Sequence, residues 1–387
     1  MAKLFSLLFA TLAIGAYAAE LGEIGGVDFS GSGFLTLAAG VVTNSGDPQT
    51  ASGYRCPCFI SDYAQAGVYQ SHKLTAQPDS KLGFQGRATV NQDLSFTGQV
   101  VFRDTDRANV DLEWLYGSYQ LSDWTTLQFG RKRLPLFYYS ESQDVDLSYP
   151  WVHLSPQLYG WEIVNYDGAN LLLQREFAGW AVNADVFAGS EKVHDDDYWK
   201  MYNGRNTRTD SKWSNIVGAD ISISRGGFEA RLMHIESYLQ STTPPGLVFS
   251  PKAHQDINGL SFHAEYTNWI VQAEFLYLNR NELYGKDRTQ LFGVGYRVGK
   301  YLPMVTVANY RQAQRYDPAD GWDPTHSEAH RDIALTLRYD ISPSSDFKLQ
   351  FDHWKNTADP NFFAYDPTTA NPRYMANLVS ASYDMSF

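Results

Sequence analysis

The chain ends on VSASYDMSF, residues 379–387, and this stretch alternates strictly. Val379, Ala381, Tyr383, Met385 and Phe387 fall on one side, and Ser380, Ser382, Asp384 and Ser386 on the other. A period of two is that of a β-strand, whose successive side chains point to opposite faces. One face suits lipid and the other suits water, the pattern of a strand in a transmembrane barrel wall.

Working back, the same pattern recurs. Leu82, Phe84, Gly86, Ala88 and Val90, then Leu94, Phe96, Gly98, Val100 and Phe102, face outward, whereas Gln85, Arg87, Thr89, Ser95, Thr97, Gln99 and Arg103 face inward. Asn91, Gln92 and Asp93 between them form a tight turn. Further strands are expected at 29–43, 110–120, 125–132, 166–176, 180–189, 213–223, 228–237, 257–267, 269–278, 287–297, 301–310, 330–340 and 346–354, which with the terminal strand makes sixteen.

The connectors alternate in length. Those at 44–80, 133–165, 190–212, 238–256, 311–329 and 355–373 are long and polar; those at 91–93, 121–124, 224–227, 298–300 and 341–345 are short. Long loops at one end and tight turns at the other are the rhythm of an outer-membrane barrel, and an even strand number returns both termini to the turn end. A soluble sandwich has no need of this rhythm. Trp124, Trp180, Trp269, Tyr296, Tyr301, Tyr339 and Tyr383 stand at strand ends, where an interfacial girdle would lie. The expected fold is all-β: a sixteen-stranded antiparallel transmembrane barrel with long extracellular loops.

Composition agrees. Aromatic residues make up 15% of the chain and charged ones 19%. Past the N-terminus no run of eighteen apolar residues occurs, as a helical span would require. Residues 1–18 read as a signal peptide, with Lys3 before an apolar run and Ala16-Tyr17-Ala18 at the cleavage site, so the mature barrel is expected over 19–387. The formal charge of −12 disfavours nucleic acid as a partner.

In strand number, connector rhythm and terminal aromatic residue the chain resembles the Gram-negative outer-membrane porin superfamily. Tyr383, Met385 and Phe387 resemble that family's C-terminal signal for the barrel-assembly machinery. The segment from Gly130 through Arg131, Lys132 and Arg133 to Phe137 is similar to the family's turn into a third extracellular loop, here about 133–165, that folds into the pore. The resemblance implies a constriction in which Glu141, Asp144 and Asp146 of that loop face basic groups, with Arg87 and Arg103 as wall candidates beside Arg131, Lys132 and Arg133. Opposed charges in a narrow aqueous passage create a transverse field. The loop also carries Phe137, Tyr138, Tyr139, Tyr149, Trp151 and Tyr159, which leaves room for a surface that stacks sugars or aromatic solutes.

The resemblance further implies passive diffusion of small hydrophilic solutes and ions, a homotrimer, residence in the cell outer membrane among lipid and lipopolysaccharide, and no cofactor. Acids at inward positions, including Glu113, Asp185, Asp220, Glu229, Glu265, Glu274 and Asp352, slightly outnumber inward bases, so weak cation preference is expected. A substrate-specific channel and a non-conducting barrel serving as receptor or adhesin are the alternatives. No nucleophile elbow, phosphate loop or zinc-protease motif supports an enzyme. His326, Glu328 and His330, and the run His194 to Asp197, read as solvated loops rather than metal sites. Cys56-Pro57-Cys58 leaves open a strained disulfide, metal capture or a link to another chain.

Overall fold

A computed structural model describes residues 19–45, 54–105, 108–203, 206–243, 247–248, 252–280, 285–313, 315–317, 321–323, 328–357 and 375–387. The expected signal peptide lies outside these residues.

Sixteen strands build the wall: β1 (Val27–Val42), β2 (Lys81–Thr89), β3 (Leu94–Asp104), β4 (Ala108–Ser122), β5 (Thr125–Arg133), β6 (Asn165–Phe177), β7 (Trp180–Val193) and β8 (Asp210–Arg225), followed by β9 (Phe228–Thr243), β10 (Ala253–Tyr266), β11 (Trp269–Asn279), β12 (Lys286–Tyr296), β13 (Tyr301–Ala313), β14 (Ala329–Ser342), β15 (Ser345–Asn356) and β16 (Met375–Ser386). Each pairs antiparallel with the next, and Phe34–Val42 of β1 pairs with Leu378–Ser386 of β16, so the sheet closes. Closure satisfies every ladder within the wall, the condition for a sheet to stand in hydrocarbon. A short N-terminal strand, Ala19–Ile24, pairs back on β1 from Val27 to Gly31, beyond the end of β16.

The alternation read from the sequence is the alternation of the wall. Phe84, Phe96, Leu335, Phe351 and Val379 are exposed on the outer surface, while Thr97, Gln99, Gln272, Gln350 and Ser382 are buried within. Tyr383 and Met385 lie on the outward parity of exposed Phe387, and Ser380, Ser382, Asp384 and Ser386 on the buried one. A bulge opposite Gln99 and Val100 shifts the parity of β4, so that Leu112 and Leu115 both face outward and Glu113 points in.

The turns follow local chemistry. Asn91 Oδ1 accepts the backbone N–H groups of Asp93 and Leu94, each at 2.9 Å. Ala178 and Gly179 both hold positive φ between β6 and β7, as a two-residue hairpin loop of the primed type requires. Around the turn end the aromatic residues form a girdle: Trp269 meets Tyr296 at 4.8 Å and Tyr301 meets Tyr339 at 4.9 Å.

The lumen differs from a uniformly polar channel. From mid-wall toward the loop end, β8 to β11 turn Trp213, Ile235, Ile257, Leu276 and Leu278 inward. These pack against three inward-folded connectors: the first, with its hairpin Phe59–Asp62 and Gly67–Tyr69; the third; and the one after β7, with helix α2 (Asp197–Asn203). Apolar side chains on the water side of the wall are thus removed from water by chain that folds over them.

Candidate functional site

The third loop leaves the wall where β5 ends. Gly130 has φ +129, and a Cβ there would overlap the carbonyl of Leu115, so glycine is required in the wall three residues before the loop departs. Leu134 N–H donates to Val164 O at 2.8 Å and closes the base of the loop. Pro135 has no N–H to continue the ladder. The chain then crosses the lumen and returns through the short helix α1 (Pro156–Tyr159).

It is tethered on the far wall. Glu274 of β11 accepts Tyr138 N–H at 2.9 Å and Tyr159 O–H at 2.7 Å. Trp151 Nε1 donates to Thr306 of β13 at 2.8 Å, and Val152 N–H to Gln350 of β15 at 2.9 Å. Arg231 donates to the carbonyls of Pro135 and Phe137, Arg338 to those of Leu147 and Tyr149, and Lys348 to that of Asp146. A loop held to β9, β11, β13, β14 and β15 is a bridge across the pore.

The acidic and basic residues singled out by sequence occupy different places. Arg103 and Arg133 both clasp Asp144, and Glu113 joins them at 2.8 Å from Arg103 and 3.1 Å from Arg133. Burial alone would raise the Asp144 pKa, but Arg103, Arg133 and Lys81 more than offset it and hold the carboxyl well below the usual range. Asp146 pairs with Lys81 at 2.7 Å and accepts the Tyr149 hydroxyl; burial, reinforced by Asp384, outweighs its lysine neighbours and brings its pKa up to about 6. Asp144 and Asp146 are therefore buried and paired, while Glu141 is exposed to the cavity below the loop.

The remaining bases stand apart. Lys132 is buried against Gln128 and Asn170, with its ammonium 5.3 Å from the Tyr116 ring centre. Arg131 shares the parity of outward Leu127 and Phe129 and pairs with Glu191 at 2.8 Å and Asp167 at 3.5 Å. Arg87 lies near the turn end and donates to Ser95 at 3.1 Å.

One tie went unread in the sequence. His153 of the third loop stands between Asp79 of the first connector, at 3.1 Å, and Asp352 of β15, at 3.6 Å. Burial would lower the imidazole pKa, but Asp352 and Asp79 together raise it to about 10, so the ring is cationic at neutral pH. Asp79 also accepts Ser61 at 2.6 Å and Tyr69 at 2.8 Å, so the hairpin of the first connector is fixed to the same carboxylate that meets the third loop through His153.

On the turn side of the bridge lies a cavity of about 340 Å³. Phe137, Tyr138, Tyr139 and Tyr149 line it from the loop; Asp185, Asp220, Glu229, Arg231 and Glu265 line it from the wall, with Arg297 and Arg338. Volumes of this order suit small organic molecules.

The other motifs are absorbed structurally. Cys56 and Cys58 are joined to each other. His194 and Asp195 engage Asp210, Asp196 engages Ser211, and Asp197 pairs with Lys200. His330 pairs with Glu328 and stacks on Tyr310, while His326 lies outside the described residues. Among the described residues no cluster is suited to a metal ion.

No protein-family model matches the chain, and no curated protein matches it. Solved structures do. The outer-membrane channel DcaP of Acinetobacter baumannii superposes with a TM-score of 0.59 at 12% identity, covering 95% of this chain and 100% of that one. An anion-selective porin from Comamonas acidovorans gives 0.57 at 13% identity, covering 93% and 100%. The trimer form of OmpT from Vibrio cholerae gives 0.54 at 10% identity, covering 93% and 99%. With its closed sixteen-strand wall and its third loop lying across the lumen, the chain has the fold of the Gram-negative outer-membrane porins.

Proposed function

We propose that the protein is an outer-membrane channel for passive diffusion of small hydrophilic solutes and ions, with weak cation preference. The observation that carries this reading is the third loop, tethered to five wall strands, above a cavity with both charged and aromatic walls. The sign of the preference does not come with the fold, since one solved neighbour is an anion-selective porin. It is inferred from the five carboxylates around the cavity, Glu141, Asp185, Asp220, Glu229 and Glu265, against three guanidiniums. Insertion of the purified protein into planar bilayers tests the proposal: stepwise ohmic conductance is expected, and a folded barrel that carries no current would leave the receptor or adhesin reading in its place.

Assembly as a homotrimer is part of the proposal, supported by the trimer form among the solved neighbours; mass measurement in mild detergent decides it. Tyr383, Met385 and Phe387 lie on the outward parity of β16, where the barrel-assembly machinery would meet them. The ring-lined cavity favours a second reading, a channel with a preferred solute, whose signature is saturable block.

A further inference from the structure

We propose that the cavity beneath the third loop binds organic cations that carry a flat apolar body, such as arylmethylammonium ions; this rests on the channel reading and names the solute class that channel retains.

The charges in the cavity are unequally free. Arg231 is committed to Asp220 at 3.2 Å and to two loop carbonyls. Arg338 is committed to Asp340 at 2.7 Å, Asp346 at 3.0 Å and two further carbonyls, and Arg297 pairs with the same Asp340. Each guanidinium thus has a carboxylate partner, and two of the three also hold the loop.

The acids opposite are not so matched. Among the described residues Glu141, Asp185 and Glu229 form no ion pair. Asp185 takes an amide hydrogen from Asn170 at 2.8 Å, and Glu229 takes the Tyr138 hydroxyl at 3.2 Å. A carboxylate keeps several acceptor positions beyond one such bond. The field in the cavity is therefore negative, and a cation entering it gains where an anion loses.

The roof supplies the second half of the recognition. Tyr138 and Tyr139 meet edge to face at 4.9 Å, Tyr139 meets Tyr149 at 5.7 Å, and Tyr138 stacks on His263 at 5.4 Å with planes 16° apart. Ring faces held in place attract both the flat body of a solute and its positive charge. An inorganic cation gains from the carboxylates alone. A neutral aromatic gains from the rings alone.

The test uses the full-length protein with four probes: benzylammonium, methylammonium, benzyl alcohol and benzoate. Single-channel current is recorded in planar bilayers, and binding to the detergent-solubilised barrel is followed by titration calorimetry. Benzylammonium is expected to block saturably and to bind roughly tenfold or more tighter than each of the others. Combined Glu141→Gln, Asp185→Asn and Glu229→Gln should abolish that advantage, and the probe series on the unmodified protein decides the matter if this variant does not fold. Equal binding of benzylammonium and methylammonium, or tighter binding of benzoate, overturns the proposal. Absence of current defeats the channel reading instead, and calorimetry then still decides the site.

Discussion

Gly33 and Phe387 exchange both of their backbone hydrogen bonds, Gly33 N–H to Phe387 O at 2.6 Å and Phe387 N–H to Gly33 O at 2.9 Å, and the Phe387 ring fills the space that a Cβ on Gly33 would take. The ring also meets Phe84 edge to face at 6.2 Å. The last residue of the chain thus covers the seam where the barrel closes. Gly33→Leu should push the ring off the seam and cost about 1–3 kcal/mol. A smaller folded fraction, read from the heat-dependent gel mobility of the barrel, is expected; unchanged folding would show that the ring swings away freely.

Gly168 and Gly86 make a sharper pair. A Cβ on Gly168 would overlap the backbone carbonyl of Ala188, which cannot rotate aside, whereas one on Gly86 meets nothing within 4 Å. Gly168→Ala should therefore impair folding, while Gly86→Ala should stay within about 0.5 kcal/mol of the parent. Parallel refolding yields of the two variants check this.

Asp144 ties the third loop to Arg103 and Arg133. Its folded pKa lies below the unfolded value, so its contribution is present above about pH 4 and is lost as acid titrates the folded carboxyl. Asp144→Asn should imitate that loss at neutral pH. The expected result is faster cleavage by added protease within 134–164 and larger current fluctuations; a loop as resistant as the parent's would show that the far-wall tethers suffice.

His153 works in the opposite direction. Its pKa is raised from 6.5 to about 10 on folding, so the stabilisation it gives is complete below pH 6.5 and disappears as pH rises through 10. The first and third loops should loosen together in alkali, visible as protease cleavage within 54–80 and 134–164. His153→Gln should remove the alkaline step and leave the loops less protected at neutral pH.

The wall was legible because its physics is local. Alternation and turn chemistry act over a few residues, and all sixteen strands form where the pattern puts them, although β9 runs six residues past its expected end, to Thr243. The site was legible only in part. That the third loop enters the lumen came from likeness; of the constriction acids it implied, Asp144 meets Arg103 and Arg133 and Asp146 meets Lys81, all in buried ion pairs. Arg131, Lys132 and Arg133 read as one basic block, but each meets different partners: Arg131 pairs with Glu191, Lys132 lies against Gln128 and Asn170, and only Arg133 reaches the loop acids. The apolar lumen patch and the His153 tie join segments far apart in sequence, where no periodicity records them.

Selectivity depends on which acids remain free. Asp144 is neutralised by Arg103 and Arg133, and Asp146 by Lys81, so removing these charges should alter loop order more than ion preference. Glu141, Asp185 and Glu229 line the cavity without forming an ion pair among the described residues, and they should set the local potential. Carboxylates in a confined passage concentrate cations, and salt screens the effect over about 8 Å at physiological strength. The zero-current potential in a salt gradient should therefore show weak cation preference that shrinks as both solutions are made more concentrated. Glu141→Gln with Glu229→Gln should reduce it further than Asp144→Asn does. Anion preference in the unmodified channel would refute the proposed selectivity, and a larger effect from Asp144→Asn than from the cavity pair would move its origin back to the base of the loop.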